Sequence, residues 1–298
     1  MSIAAEQVSK RFGPVQALDS ATLAFGENKI YGLLGRNGAG KSTLLNILTG
    51  RIFPDSGTVT VDGAPVPDSD AALSQLYLMS EKLYYPESMK VKDAFRWGAR
   101  FYPQFDLDFA YSLAGAFQLG LNARVSKLST GYSSIFKIVT ALSTNAPYLL
   151  LDEPVLGLDA NHRDLFYKTL LARYSENPCT VVISTHLIEE VSSLIEDVVI
   201  LHQGRVLEKG SREELLAGGY TVSGPRGQVE AYLTGKRLLG ADTLGGLMSA
   251  YVMGKPDREH LPQGLELSPL DLQKMFILLT SGPEENFAGS PRRGGGEV

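Results

Sequence analysis

A loop of nine residues, GRNGAGKST at residues 35–43, restricts the fold of this chain more than any other segment. It matches the pattern G-x-x-x-x-G-K-[ST] at Gly35, Gly40, Lys41 and Ser42, and it lies between a strand-like run, KIYGLLG, and a helix-like run, KSTLLNILTG. Glycines let successive backbone N–H groups surround phosphate oxygens, and the helix that follows adds the positive end of its dipole. The sequence therefore predicts a phosphate-binding loop in an α/β fold.

The residue types within this loop predict how the phosphates of a nucleotide are held. Lys41 is expected to reach the β and γ phosphates, Ser42 to offer a hydroxyl to Mg²⁺, and Thr43 to add a phosphate contact. The loop backbone is expected to wrap around the phosphates at Gly35, Asn37, Gly38, Ala39 and Gly40. An ordinary glycine-rich turn is the alternative, and the strand before the loop and the helix after it disfavour that interpretation.

Two adjacent acids follow the apolar run YLLL, residues 148–151. Asp152 stands where a buried parallel strand is predicted to end, and a carboxylate there is expected to hold Mg²⁺ through its water shell. Glu153 points elsewhere and is predicted to be the general base that accepts the proton of an attacking water. Two solvated surface acids are the alternative, which the preceding apolar residues disfavour.

The run TVVISTH, residues 180–186, has the same form, an apolar strand that ends in polar residues. Its last residue, His186, is predicted to hydrogen-bond the γ-phosphate. A single histidine is more often a structural residue, so this prediction depends on the order of the two preceding motifs. His162, His202 and His260 have no such setting and are predicted to be structural or exposed.

Composition excludes several classes of protein. No apolar run approaches the ~18 residues that span a bilayer, so we expect any membrane role to act through a partner. The N-terminal segment lacks the apolar core of a signal peptide, so the chain is expected to stay in the compartment where it is made. Cys179 is the only cysteine, which excludes an internal disulfide and a multi-cysteine zinc site and fits a reducing cytosol. A net charge of −5 argues against a broad nucleic-acid-binding face, so no nucleic acid is expected as a partner.

The remaining regions have weaker patterns. Residues 1–30 predict a small antiparallel sheet, and six aromatic residues from Phe95 to Phe109 predict the core of a small helical subdomain. Residues 216–282 predict a small α+β domain in which Ser268, Pro269 and Asp271 form a helix start. Gly, Pro and charged residues predict that residues 283–298 are disordered.

Five motifs in order, GRNGAGKST, LSTGY, YLLLDEP, GLDA and STH, resemble the ATP-binding cassette family, the nucleotide-binding subunits of ABC transporters. The resemblance covers roughly residues 1–215. It implies an α/β P-loop cassette with a mainly parallel core sheet, an antiparallel β subdomain and a helical subdomain at about 88–145. It also implies ATP and Mg²⁺ as cofactors, and ATP hydrolysis that powers a separate transmembrane permease through dimerisation with a second ATPase subunit, identical or different.

The segment LSTGY, residues 128–132, is similar to the family motif LSGGQ, which opens a helix and caps the γ-phosphate of ATP held by the opposite subunit. Ser129 and Gly131, the pair expected nearest the phosphate, match the family. Thr130 and Tyr132 depart from it, which affects the expected geometry and turnover more than the role. The resemblance explains why this segment needs no catalytic acid, since it offers a hydroxyl, a backbone N–H and a helix N-terminus.

Three further roles are implied by the resemblance alone. Asp159 in GLDA matches the D-loop, which links the two sites of the dimer. Glu81 stands where the family's Q-loop, which joins the nucleotide site to the membrane partner, usually has glutamine, and its carboxylate is expected to meet Mg²⁺ or its water. Phe12 occupies the place of the aromatic residue that stacks on adenine, although a buried core phenylalanine fits the sequence equally well.

The segments LSTGYSSIFK and DEPVLGLDANHRDLFYK resemble bacterial export-type ATPases paired with ABC-2-type permeases. This resemblance implies a peripheral location at the inner face of the cell membrane. A soluble cassette protein that acts on ribosomes or DNA is the alternative. The single GKST, the single LDEP and the absence of a sustained heptad run disfavour it. A P-loop kinase or GTPase would leave LSTGY, GLDA and STH unexplained.

Overall fold

The computed structural model describes residues 1–82, 85–258 and 261–280. The chain divides into two compact units, the first comprising Met1–Lys209 and the second beginning at Gly210. The sequence-based boundary at residue 215 therefore lies inside the second unit, within its first helix. The tail predicted to be disordered, residues 283–298, and His260 lie outside the described residues.

The first unit alternates strands with helices along the chain. Its strands are β1 (Ser2–Phe12), β2 (Val15–Gly26), β3 (Ile30–Leu34), β4 (Ser56–Val61), β5 (Ala64–Pro65), β6 (Leu76–Met79), β7 (Tyr148–Asp152), β8 (Thr180–Thr185), β9 (Asp197–His202) and β10 (Arg205–Ser211), which ends just past the boundary. Its helices are α1 (Lys41–Leu48), α2 (Asp70–Leu73), α3 (Val91–Phe101), α4 (Leu107–Ala116), α5 (Thr130–Ser143), α6 (Ala160–Glu176) and α7 (Ile188–Val191).

A six-stranded sheet in the order β10-β9-β3-β8-β7-β6 forms the centre of the first unit. The pairs β3–β8, β3–β9, β7–β8 and β6–β7 are parallel, as the buried runs YLLL and TVVIST predict. In this register Leu34 lies opposite Thr185, and Asp152 lies opposite Ser184. The carboxyl ends of β3, β7 and β8 therefore meet at one edge of the sheet, where the loops after them carry the predicted site residues.

The antiparallel sheet predicted for the N-terminal region is present, in the order β2-β1-β4-β5. Its inner face shares one apolar core with helix α1 and the central sheet, to which Phe25, Leu44 and Leu150 contribute fully buried side chains. Burying such side chains stabilises the fold by about 1.5–3 kcal/mol each. This core fixes the helix that follows the phosphate-binding loop between two sheets.

The helical subdomain consists of α3, α4 and α5, but the prediction that its aromatic residues form a core is only partly right. Phe95 is fully buried, whereas Trp97 is 42% and Phe101 is 70% exposed. Side chains two positions apart in a helix point to nearly opposite faces, whereas side chains four positions apart share a face. Trp97 and Phe101 accordingly lie together on the outer face, with ring centroids 6.5 Å apart.

The described part of the second unit is an antiparallel sheet with three helices, as predicted for an α+β domain. It contains α8 (Arg212–Ala217), β11 (Gly219–Pro225), α9 (Arg226–Tyr232), β12 (Arg237–Leu244), β13 (Leu247–Met253), β14 (Glu266–Pro269) and α10 (Leu272–Thr280), with strand order β12-β13-β11-β14.

The predicted helix start in the second unit is correct at one position. Asp271 precedes α10, and its carboxylate accepts a hydrogen bond of 2.7 Å from the Lys274 N–H. Ser268 and Pro269 belong instead to the edge strand β14, where they pair with β11. A proline fits this place because it lacks the N–H that a central strand would need.

Within residues 1–82, 85–258 and 261–280, no helix combines the length and the apolar composition that crossing a bilayer requires.

Candidate functional site

The loop between β3 and α1 has the tight backbone that the motif predicts. Gly40 has φ +104, and a Cβ atom added there would lie 2.4 Å from the backbone oxygen of Ala17, so a side chain would be both strained and blocked. The Gly204 N–H donates to the Ala39 backbone oxygen at 3.0 Å. The loop is therefore held from two sides while Asn37 and Gly38 remain exposed.

Lys41 begins helix α1 and is buried, with 7% of its side chain exposed. Its Nζ donates to the Gly35 backbone oxygen at 2.6 Å and lies 3.8 Å from Glu153 Oε1. Burial lowers the pKa of Lys41, and the charges of Glu153 and Asp152 oppose that shift. An ammonium group at the mouth of a phosphate-binding loop can neutralise phosphate charge.

Asp152 is the last residue of β7 and is 8% exposed. The Ser184 hydroxyl donates to Asp152 Oδ1 at 2.8 Å, from the neighbouring strand β8. This hydrogen bond orients the carboxylate at the end of the strand. Ser184 is a functional residue that the motifs did not predict, although a polar residue one place before a predicted strand end was the available signal.

Glu153 lies at the centre of a polar cluster. Its Oε2 is 3.0 Å from His186 Nδ1 and accepts a hydrogen bond of 3.3 Å from the Thr185 hydroxyl. Its backbone has φ +46, which a non-glycine residue adopts at a cost of about 1–2 kcal/mol, and its N–H donates to the Ser184 oxygen at 2.8 Å. In this conformation the Glu153 carboxylate contacts His186 and lies 3.8 Å from Lys41 Nζ.

A cavity of about 400 Å³ joins these groups to the first turn of α1 and to the segment after β6. Its polar lining includes Ser42, Glu81, Asp152 and Glu153. Hydroxyl and carboxylate oxygens are the ligands that Mg²⁺ prefers, and Mg²⁺ is usually held by one or two carboxylates together with phosphate and water. The Ser42 hydroxyl and the Asp152 carboxylate therefore offer ligand types that fit a Mg²⁺ bound together with phosphates.

The segment LSTGY begins helix α5, as predicted. Ser129 precedes the first turn, and its hydroxyl accepts a long hydrogen bond, 3.4 Å, from the Tyr132 N–H. Gly131 packs on the loop after β7, where an added Cβ atom would lie 2.9 Å from the Gly157 oxygen. Leu128 and Thr130 line the 400 Å³ cavity, but Ser129 and Gly131 do not. The structure thus leaves Ser129 exposed and outside the cavity of its own chain.

Asp159 and Phe12 lie away from this cavity. Asp159 caps helix α6, where it accepts hydrogen bonds of 2.9 Å from the N–H of His162 and contacts the His162 ring at the same distance. The backbone hydrogen bond lowers the pKa of Asp159. Phe12 ends β1 with 47% of its surface exposed and with Lys10 Nζ 5.7 Å from its ring centroid. It is not a core residue, so the core alternative for Phe12 is wrong.

A family model described as "ABC transporter" matches residues 18–156 of the chain. The probable sulfate/thiosulfate import ATP-binding protein CysA of Chlorella vulgaris is 30% identical over 72% of this chain and 93% of its own length. The chain belongs to the ATP-binding proteins of ABC transporters. The recognition made from five motifs is thereby confirmed.

Relatives of this ABC protein differ in the transport direction that their names state, with import for CysA and export for the Nod factor protein. The Nod factor export ATP-binding protein I of Mesorhizobium japonicum is 30% identical over 70% of the chain and 63% of its own length. The ABC transporter ATP-binding protein YtrB of Bacillus subtilis is 27% identical over 70% of the chain and 72% of its own length. Family membership therefore covers export and import names alike.

Solved structures agree with the cassette fold. The ATP-binding subunit of an ABC transporter superimposes with a TM-score of 0.65 at 24% identity, over 72% of this chain and 92% of that chain. A bacterial ABC transporter cassette solved as a dimer gives a TM-score of 0.63 at 23% identity, over 70% and 98% respectively. At these identities the likeness concerns the fold, and it confirms the predicted P-loop cassette.

Proposed function

We propose that this ABC protein hydrolyses ATP at the carboxyl edge of its central sheet. The observation that carries the proposal is the position of the Glu153 carboxylate, 3.0 Å from His186 and 3.8 Å from Lys41, beside the buried Asp152. Glu153 can accept the proton of an attacking water there, while His186 holds its carboxylate and is in place to contact a γ-phosphate.

Nucleotide binding in this proposal follows the motif residue by residue. Lys41 neutralises phosphate charge, Thr43 adds a hydroxyl, and an adenine ring stacks on the exposed face of Phe12. Backbone N–H groups of the loop surround the phosphates at Gly35, Asn37, Gly38, Ala39 and Gly40. Ser42 and Asp152 hold Mg²⁺ with Glu81 at the edge of the cavity, and the bound ion supplies charge neutralisation for phosphoryl transfer.

The test is hydrolysis by the purified chain. Phosphate release from ATP is expected with Mg²⁺ and should fall to background with excess EDTA, because chelation removes the cation that neutralises phosphate charge in the proposed site. The variant Lys41→Ala is expected to lose ATP binding in a fluorescent-nucleotide titration. Hydrolysis that persists unchanged in Lys41→Ala would contradict the proposed site, since that lysine is the buried cation of the loop.

We further propose that the complete site forms between two cassettes, in which Ser129 and Gly131 of one subunit face ATP held by the other. The support is the exposed start of α5, which lies outside the cavity of its own chain. Asp159, at the start of α6, is proposed to lie in the same interface. Either an identical chain or a different cassette can supply the second half.

We propose a transmembrane permease as the partner that uses this ATP, with export as the direction. The support is a groove of about 440 Å³ beside the Glu81 segment, lined by Trp97, Phe101 and Tyr102 among others. Exposed aromatic residues of this kind are enriched at protein interfaces. Through this partner the chain would be peripheral at the inner face of the membrane.

Affinity purification from detergent-solubilised membranes tests this partnership. A tagged wild-type chain is expected to recover a polytopic membrane protein, and the variant Trp97→Ala/Phe101→Ala is expected to lose it while retaining ATP binding. Val15→Ala is a matched control, because it removes an apolar side chain that is 61% exposed on β2, away from the groove. Recovery of ribosomes or DNA in place of a permease would favour the soluble alternative.

A further inference from the structure

Residues 78–82, which comprise the end of β6 and the Glu81 segment after it, are held from one side by helix α5. Lys137 Nζ donates a hydrogen bond of 2.8 Å to the backbone oxygen of Glu81. The Lys137 side chain is half-buried, and burial lowers its pKa although the charges of Glu81 and Asp152 oppose that shift. The Lys137 ammonium group therefore lies near the carboxylates of Glu81 and Asp152, and its hydrogen bond is to the backbone oxygen of Glu81.

The same segment is held from the other side by the turn after α1. Arg51 Nη2 donates to the Leu78 backbone oxygen at 3.1 Å, and Arg51 Nη1 donates to the Ser80 hydroxyl at 3.0 Å. Arg51, after helix α1, and Lys137, in helix α5, thus both donate hydrogen bonds to residues 78–82. Arg51 is the more exposed of the two, so its hydrogen bonds are expected to contribute less.

Lys137 also lines two cavities. It lines the 400 Å³ cavity together with Ser42 and Asp152, and it lines the 440 Å³ groove together with Trp97 and Phe101. A lysine that only keeps a helix soluble extends its ammonium group into water. The Lys137 side chain is instead half-buried beside both cavities. Removing a charged group from water costs free energy, which its hydrogen bond to the Glu81 backbone offsets.

We propose that Lys137 is a positioning residue that tethers the Glu81 segment to helix α5. The tether holds Glu81 at the end of the 400 Å³ cavity that Ser42 and Asp152 line. It also makes the Glu81 segment, which borders the aromatic groove, move together with helix α5. Because LSTGY opens the same helix, a nucleotide contact at Ser129 reaches the groove through Lys137. The activity part of this inference rests on the proposed ATP hydrolysis, whereas the tether itself does not.

Hydrogen–deuterium exchange on the full-length protein tests the tether without nucleotide. Lys137→Met keeps the aliphatic stem but removes the donor, so exchange in peptides covering residues 80–82 is expected to rise roughly tenfold, the scale of one charge-assisted hydrogen bond. Lys137→Arg retains a donor and should restore most of the protection. Lys168→Met is the matched control, because Lys168 is exposed on α6 and pairs only with Asp164 among the ion pairs of the described residues.

A second background separates tethering from charge neutralisation. The Lys137 hydrogen bond ends on the backbone oxygen of Glu81, so Lys137→Met should raise exchange by the same factor when Glu81→Gln is also present. If Glu81→Gln abolishes the effect, Lys137 acts on the carboxylate and the tether is overturned. Unchanged exchange in a folded Lys137→Met variant overturns it as well.

Steady-state kinetics then test the consequence for the reaction. Lys137→Met is expected to lower kcat roughly tenfold and to leave the KM for ATP within about twofold, because the phosphate-binding loop is untouched. A general loss of stability would instead reduce the active fraction of the protein, which a nucleotide-binding titration measures. A wild-type chain that binds no ATP would refute the proposed function, and the exchange experiment would still decide the tether.

Discussion

The two ends of the candidate nucleotide site differ in how complete they are within one chain. At the carboxyl edge of the central sheet, Lys41, Asp152 and Glu153 are sheltered and hydrogen-bonded to neighbouring residues. At the start of α5, Ser129 is exposed and makes one long hydrogen bond within its own helix. The difference agrees with the proposed division of the site, in which the first end holds phosphate within one chain and the second end faces ATP held by another subunit.

The largest expected effect concerns the sheltered end. Glu153→Gln should keep ATP binding but lower the rate of phosphate release by about 10²–10⁴-fold, because an amide cannot accept the proton of the attacking water. Phosphate release measured at saturating ATP checks this prediction. Glu176→Gln, an acid-to-amide change at the exposed end of α6, is the control and should leave the rate unchanged. A loss below about tenfold would remove Glu153 from its proposed role.

The next prediction asks whether the exposed end belongs to a second subunit. Lys41→Ala and Ser129→Arg should each prevent ATP-dependent dimerisation of a Glu153→Gln protein, one through the lost phosphate clamp and one through added bulk. In a mixture of the two, one site of the mixed dimer pairs an intact Lys41 with an intact Ser129. Size-exclusion chromatography should therefore show dimer only in the mixture. Failure despite demonstrated subunit exchange would assign Ser129 to its own chain or to no nucleotide.

The smallest effect separates the two tasks of Ser129. As a helix cap with a 3.4 Å hydrogen bond, it should contribute about 0.5–1 kcal/mol to the free energy of unfolding, so Ser129→Ala should lower stability in urea by that amount. Ser112→Ala, at an exposed position of α4, is the control. If Ser129→Ala changes stability but leaves ATP-dependent dimerisation intact, the residue is a cap alone and the contrast between the two ends disappears.

Much of the sheltered end could be predicted from the sequence because its chemistry depends on short-range patterns. The spacing of Gly35, Gly40 and Lys41 specifies a loop between a strand and a helix, and an acid directly after YLLL specifies a strand-end carboxylate. Parallel strands place their carboxyl ends at one edge, which explains why polar residues after β7 and β8, Glu153 and His186, are in contact.

The sequence by itself thus determined the phosphate-binding loop, the two carboxylates and the helix that LSTGY opens. Only the tertiary structure decided the Ser184 contact to Asp152, the grip of Arg51 and Lys137 on the Glu81 segment, and the exposure of Trp97 and Phe101. The physical reason is the separation in sequence between the residues that interact. Motif geometry is set by backbone conformation over a few residues, whereas these contacts join side chains from elements that are distant in the chain and meet only when the core packs.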